Sequence, residues 1–126
     1  MGINRADEQS SPALSAEATS RFLAGIELIR GGEYFAAHEE LELAWRAAPE
    51  PERDFFQGLV HVAVAWYQAG RGKRVGAERQ LEKARRRLAP YGPAHRGVDI
   101  AALLVQLEAA AKTVEAGSLE LPPPIL

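Results

Sequence analysis

The feature of this 126-residue sequence that most restricts its fold is the helical spacing of its apolar residues. Apolar side chains recur every three or four positions in five segments, which is the period of a buried face on an α-helix. Glycines and prolines separate the segments, because these residues end helices. No segment shows the alternation of a strand. The pattern therefore predicts an all-α fold, a compact bundle of about five antiparallel helices with no sheet.

The spacing predicts helices at about residues 15–31, 34–49, 51–69, 73–89 and 99–117. The third is apolar on nearly all sides, which is typical of the most buried helix of a bundle. The fourth has one apolar stripe and charges elsewhere, and Asp99 is expected to cap the fifth. We predict a flexible N-terminus (1–14), a helical bundle domain (15–117) and an extended, proline-rich tail (118–126).

A weak internal repeat suggests tetratricopeptide-like helix hairpins. Gly32 is followed by Ala37 and Ala44 at the spacing of half such a unit, and Ala77 and Ala84 recur 40 positions later. Small residues at these places would suit any antiparallel helix pair equally well. A tetratricopeptide repeat and ordinary close packing of two helices therefore both stay open.

Composition excludes several kinds of chemistry. The sequence has no cysteine, so disulfides, thiolate zinc sites and cysteine nucleophiles are absent, and a metal would need His and carboxylate ligands. The formal net charge of −2 gives no general attraction to nucleic acid or to membranes. The longest apolar run is far shorter than the roughly 20 residues of a membrane span, and no signal peptide is apparent. A cytoplasmic protein is expected.

Polar residues within the predicted core are the candidate site. The second helix places His38 and Glu42 one turn apart on its buried side, with Glu39 nearer the rim. The third helix carries a narrow polar stripe that includes Gln57 and His61. We expect the two sets to face each other between the helices.

This constellation allows three interpretations. His38 and Glu42 could form a hydrogen-bonded pair that satisfies buried polar groups. Alternatively, they could line a ligand pocket or hold a divalent metal together with His61, or they could transfer protons in catalysis. The sequence His38-Glu39-x-x-Glu42 is similar to a zinc protease helix, but Glu42 stands where that chemistry needs a second histidine. Whether the protein is an enzyme stays open, with a metal-dependent hydrolase as an alternative to a binding domain.

Positive charge is concentrated between residues 71 and 96, where nine Lys and Arg face two Glu. Lys73, Arg74, Arg85 and Arg86 could therefore bind RNA or another anion. A solvated helix face explains the same pattern, since arginines in the last turn of a helix interact favourably with its dipole. Nucleic acid is therefore not expected as a partner. A protein partner or a homodimer is compatible with the sequence.

Residues 34–46, 54–60 and 72–77 resemble the domain-of-unknown-function family 309. The shared pattern is a Phe-x-x-His-Glu-x-x-Glu-x-x-Trp helix, a Phe-x-Gln-Gly-Leu helix and a glycine-containing turn. The resemblance covers about residues 22–107 and implies a helical bundle of bacterial and archaeal cytoplasmic proteins with no established activity. The positions that it singles out are His38, Glu39, Glu42, Trp45, Gln57 and Gly58. This sequence departs from the family at Lys73, which replaces Asn, and at His61, which replaces an amide.

Overall fold

A computed structural model describes residues 12–126 of the protein, and this part contains five α-helices. They are α1 (Ala16–Arg30), α2 (Tyr34–Ala47), α3 (Arg53–Gly70), α4 (Arg74–Leu88) and α5 (Ile100–Glu115). Single 3-10 turns precede α3 and follow α4. The predicted all-α bundle of five helices is confirmed. None of these helices has the length and apolar character needed to traverse a lipid bilayer.

Side chains cap two of the helices, and the cap at Asp99 is the one that the sequence predicted. The hydroxyl of Ser15 accepts a hydrogen bond from the Ala18 N–H at 3.0 Å, at the start of α1. The carboxylate of Asp99 does the same for the Ala102 N–H at 2.9 Å, at the start of α5. Each cap satisfies an N–H that the helix itself leaves without a partner.

The turns that join α1 to α2 and α3 to α4 have the same backbone geometry. In each turn a glycine takes positive φ, 78° at Gly32 and 74° at Gly72. The N–H of the next residue, Glu33 or Lys73, then donates to a carbonyl five residues earlier, at 2.8 Å and 2.9 Å. This is the Schellman ending of a helix. The chain thus contains two similar helix hairpins, while their likeness to tetratricopeptide units stays a prediction.

The central position of α3 organises the bundle. Eleven of its 18 residues are buried, and it packs against both α2 and α4. At its first turns, Phe55 and Phe56 meet Phe22 of α1 edge to face, with ring centroids 5.8 Å and 5.5 Å apart. The apolar sequence on nearly every side of α3 follows from these neighbours, because each of them covers a different face of the helix.

Gly58 allows α3 and α4 to approach closely. A Cβ atom at this position would lie 2.5 Å from Cγ of Leu88, a buried residue of α4. The sequence motif Gln57-Gly58 therefore marks a helix contact, in which the absence of a side chain leaves room for a leucine.

The prediction that the fold has no sheet is wrong. Residues Ala94–His95 pair antiparallel with Val98–Asp99 in a two-stranded ribbon between α4 and α5. The turn residues Arg96 and Gly97 both have positive φ, 47° and 81°, as tight two-residue hairpins require. Strands of two residues are too short to produce a visible alternation of apolar and polar residues, so the sequence pattern did not reveal them.

The proline-rich tail, residues 118–126, has no helix or strand and runs back along the bundle. The carbonyl of Pro122 accepts a hydrogen bond from the indole N–H of Trp66 at 3.0 Å. The backbone of Ile125 exchanges two hydrogen bonds with the side-chain amide of Gln106, at 2.8 Å and 2.7 Å. Pro124 is buried. At the other end, residues 1–11 of the predicted flexible N-terminus lie outside the described residues.

Replacing Gly58 by alanine should destabilise the protein. The new methyl group would collide with Leu88 in a packed interface, so we expect the free energy of unfolding to fall by about 1 to 3 kcal/mol in urea denaturation. The matched control is Gly70→Ala at the end of the same helix, where a Cβ atom would meet nothing within 4 Å. Equal stability of the Gly58→Ala and Gly70→Ala variants would contradict the close contact.

Candidate functional site

The imidazole of His38 lies between α2 and α3 and is only partly exposed, at 22%. Its Nδ1 is 2.9 Å from the backbone carbonyl oxygen of Phe35. Because a carbonyl oxygen only accepts, Nδ1 carries the hydrogen, and in the neutral ring Nε2 holds a lone pair. Nε2 points toward Glu42, whose Oε1 is 3.6 Å away. The backbone thus fixes the orientation of a ring whose second nitrogen stays available.

An aromatic cleft opens beside His38. We use this name for the cavity of about 210 Å³ between the start of α2 and the second half of α3. It is lined by Tyr34, Phe35, His38, Val64, Tyr67 and Gln68. The ring of Phe35 is half exposed and its centroid lies 5.0 Å from that of His38 and 5.2 Å from that of Tyr67. Apolar walls with a few polar groups are typical of small-molecule sites.

A second cavity, of about 370 Å³, adjoins the aromatic cleft and shares Tyr34, Phe35 and Tyr67 with it. The guanidinium of Arg71 lies there, 5.6 Å from the centre of the Tyr67 ring, and donates to the Tyr67 hydroxyl at 3.3 Å. The adjoining cavity therefore contains a cation that lies against a ring shared with the aromatic cleft.

His61 is buried on α3 and turns toward α4. Its Nδ1 is 2.6 Å from Oε1 of Gln80. Burial lowers the pKa of His61 below its ordinary value, and the positive charges of Arg87, Lys83 and Arg86 lower it further, while the hydrogen bond to Gln80 acts in the opposite direction. The folded protein therefore favours a neutral imidazole at this position.

The other predicted pocket residues are spread along the same helices. Oε1 of Gln57 is buried and has no hydrogen-bond partner among the described residues. Trp45 is partly buried, and the guanidinium of Arg53 lies over its ring at 5.0 Å. Glu39 is exposed. The structure thus brings His38 and Glu42 together, but only His38 lines the aromatic cleft, while Glu42, Gln57, Trp45 and Glu39 lie outside its lining.

The structure does not assemble the predicted metal ligands. His38 and Glu42 are neighbours, but His61 contacts Gln80 on the side of α3 that faces α4. Within residues 12–126, no group of three or more His, Asp and Glu side chains is placed to hold a metal ion. Two side chains are one fewer than the three protein ligands usual in a catalytic zinc site. The described residues therefore do not fit a resident divalent metal at this position.

The predicted anion-binding residues form two separate groups. Lys73 and Arg74 lie at the start of α4, whereas Arg85 and Arg86 lie in its last turn, about 16 Å further along the helix. Arg74 pairs with Glu78 at 3.7 Å and Arg85 with Glu82 at 3.8 Å. Exposed pairs of this kind are weak, but each reduces the positive charge that an anion would meet.

A buried ionic cluster was missed by the sequence analysis. Glu52 is only 3% exposed, and its Oε1 accepts from Nε2 of His95 at 2.7 Å and from Nε of Arg96 at 2.5 Å. Burial alone would raise the pKa of Glu52, but the hydrogen bonds and charges of Arg96 and His95 outweigh it and the pKa is lowered. The cluster fastens the β-ribbon to the start of α3. No spacing could have revealed it, because Glu52 is more than 40 residues away from His95 and Arg96 in sequence.

Comparison with known proteins agrees with the resemblance seen in the sequence. The family model described as "Domain of unknown function (DUF309)" matches residues 22–80. This match confirms the predicted resemblance over a segment that runs from within α1 to the middle of α4. Searches of curated proteins and of solved structures gave no significant match.

His61 should make the stability of the protein depend on pH. Its ordinary pKa is 6.5 and its pKa in the folded protein is lower. As the pH falls from about 7.5 to about 5.5, the unfolded chain therefore binds a proton at this residue before the folded protein does, which decreases the free energy of unfolding. Urea denaturation at both pH values should show a smaller decrease for His61→Gln than for the unmodified protein. Equal decreases would contradict a buried, neutral imidazole.

Proposed function

We propose that this protein is a non-enzymatic binding domain whose ligand enters the aromatic cleft. The cleft has the concave shape, the apolar walls and the few convergent polar groups that small-molecule sites share. Its location between two helices is also a common place for ligands in helical bundles. A cytoplasmic location belongs to the same proposal.

The observation that carries this proposal is a pair of hydrogen-bond acceptors placed side by side. Nε2 of His38 has a lone pair because Nδ1 is committed to a backbone carbonyl, and the Glu42 carboxylate is 3.6 Å from it. Two acceptors at that distance do not bond to each other unless the imidazole is protonated. A ligand with a hydrogen-bond donor would satisfy both atoms at once.

The walls of the cleft define the rest of the ligand. The rings of Phe35 and Tyr67 and the side chain of Val64 surround the space next to His38. A small molecule with an apolar or aromatic body and an amino head group fits this arrangement, because the body would meet the rings and the ammonium would lie near Glu42. In this proposal Gln57 and His61 lie on other parts of α3 and are not ligand contacts.

A metal-dependent hydrolase that uses His38 and Glu42 is the second candidate. Its one supporting observation is the oriented imidazole with a free Nε2, since backbone carbonyls often hold metal-binding histidines in this way. Against it, the described residues supply only two of the three protein ligands usual at a catalytic zinc. Elemental analysis of protein purified without an affinity tag discriminates between the two candidates. The binding domain predicts no stoichiometric divalent metal, and one zinc or manganese ion per chain would contradict it.

RNA or anion binding through α4 has less support. Its basic residues are divided between two ends of the helix, and two of the four predicted residues pair with glutamates. Binding of this kind would weaken steeply with added salt.

Titration with 2-phenylethylammonium chloride, followed by NMR, tests the cleft directly. We expect the probe to shift the ring signals of Phe35 and Tyr67. The Glu42→Gln variant should lose about 1 kcal/mol of binding free energy, roughly a fivefold weaker affinity.

The matched control is Glu39→Gln, which removes the same charge from an exposed position of α2. Its affinity for the probe should equal that of the unmodified protein. Equal weakening by the two substitutions would mean that only general electrostatic attraction is involved, and an unshifted Phe35 ring would contradict the cleft as the site.

A further inference from the structure

The proline-rich tail lies in a groove that runs across α1, α3 and α5. Each of these helices contributes one side chain that bonds to the tail. Arg30 at the end of α1 donates from Nη2 to the backbone oxygen of Leu126 at 3.0 Å, while Trp66 of α3 and Gln106 of α5 bond to the residues before it. We call the groove between these three side chains the tail groove.

The hydrogen bonds that the helices make to residues 121–126 go to the backbone of the tail. The indole N–H of Trp66 donates to the carbonyl of Pro122 at 3.0 Å. The side-chain amide of Gln106 donates to the carbonyl of Ile125 and accepts from its N–H, at 2.8 Å and 2.7 Å. These bonds use no side chain of the tail, so the tail groove recognises an extended backbone rather than one particular sequence.

The donors and acceptors of the tail groove match those of a proline-rich backbone. Pro122, Pro123 and Pro124 have carbonyls but no N–H, so the first N–H after them belongs to Ile125. The groove offers three donors to backbone oxygens and a single acceptor, the side-chain carbonyl of Gln106, which bonds to this N–H. A peptide without prolines would bring further N–H groups that lose water and gain no partner. The groove therefore favours proline-rich segments.

The tail leaves the far end of the groove partly empty. A cavity of about 240 Å³ lies beside Leu126, with apolar walls that include Phe22 and Ile26 of α1 and Val98 of the β-ribbon. The charged side chains of its lining are already engaged in ion pairs within the chain. Leu126 itself is only partly buried. An aromatic side chain in its place would bury more apolar surface against these walls.

Few contacts would be lost if another segment replaced the tail. Residues 121–126 form no helix or strand, four hydrogen bonds join them to the helices, and the side chains of Pro122, Pro123 and Ile125 are exposed. A covalently linked ligand competes at an effective concentration on the order of millimolar. A partner segment must therefore bind with a dissociation constant well below that value to displace the tail.

We infer that the tail groove is a docking site for an extended, proline-rich segment of another protein, and that the chain's own tail occupies it as an intramolecular competitor. The preferred segment carries an aromatic residue at the position of Leu126. This inference goes beyond the proposed function and does not depend on it, since the ligand of the aromatic cleft takes no part in these contacts.

Fluorescence anisotropy with labelled synthetic peptides tests the inference on the full chain. The probes are a peptide with the sequence of residues 119–126 and the same peptide with Leu126→Phe. The protein variant Ile125→Pro weakens the internal competitor, because a proline there removes the N–H that bonds to Gln106. Each peptide should bind this variant about fivefold more tightly than it binds the unmodified protein. The peptide with phenylalanine should bind about threefold more tightly than the other.

Gln106→Leu, made together with Ile125→Pro, tests the bonds to the peptide backbone. Because it removes both hydrogen bonds of the amide, the affinity for each peptide should fall about tenfold. The matched control is Glu108→Gln in the same background, an exposed position that lies roughly 200° around α5 from Gln106. It should leave the affinity unchanged. Circular dichroism verifies that each variant remains helical, and the NMR signal of the Trp66 indole N–H should shift when peptide is added.

Three outcomes would overturn the inference. The first is a lack of binding to the Ile125→Pro variant at millimolar peptide, and the second is binding that leaves the Trp66 signal unshifted or is insensitive to Gln106→Leu. The third is an unmodified protein that sediments as a dimer, dissociates on Ile125→Pro and binds no peptide, because the tail of a second copy is then the occupant. Equal affinity of the two peptides would overturn the preference for an aromatic residue.

Discussion

The packing of α3 between α2 and α4 is the constraint on which the rest of the structure depends. Because α3 is enclosed by its neighbours, burying a polar residue on it without a partner is costly. His61 finds Gln80 on α4, while the part of α3 near Val64 and Tyr67 opens onto the aromatic cleft beside α2. The contact at Gly58 keeps α4 close to α3.

Local sequence signals were sufficient to predict the helices. Each helix follows from a periodic apolar stripe and from a turn, such as the one at Gly32, that only a few residues permit. The two features that escaped prediction depend on contacts between distant residues. The β-ribbon is two residues long on each side, and the Glu52 carboxylate that fastens it comes from a different part of the chain.

The candidate site was predicted in part. Helical geometry places His38 and Glu42 on one side of α2, and the structure agrees. The spacing also places Gln57 and His61 on one stripe of α3, but it cannot tell which neighbouring helix each of them meets. A stripe about 60° wide can contact two helices, and His61 turns toward α4 while the cleft opens toward α2. The sequence did not indicate the aromatic cleft, because the positions of Tyr34 and Tyr67 are as compatible with a packed core as with the wall of a cleft.

The central claim is that His38 offers a lone pair at Nε2 toward Glu42 because the carbonyl of Phe35 holds its other nitrogen. Long-range ¹H–¹⁵N NMR spectra of the imidazole measure this directly, since the two neutral tautomers give different nitrogen shifts. At a pH where the ring is neutral, the account predicts that Nδ1 of His38 bears the hydrogen and Nε2 does not. A hydrogen on Nε2 would contradict it, because the acceptor pair on which the proposed binding rests would then not exist.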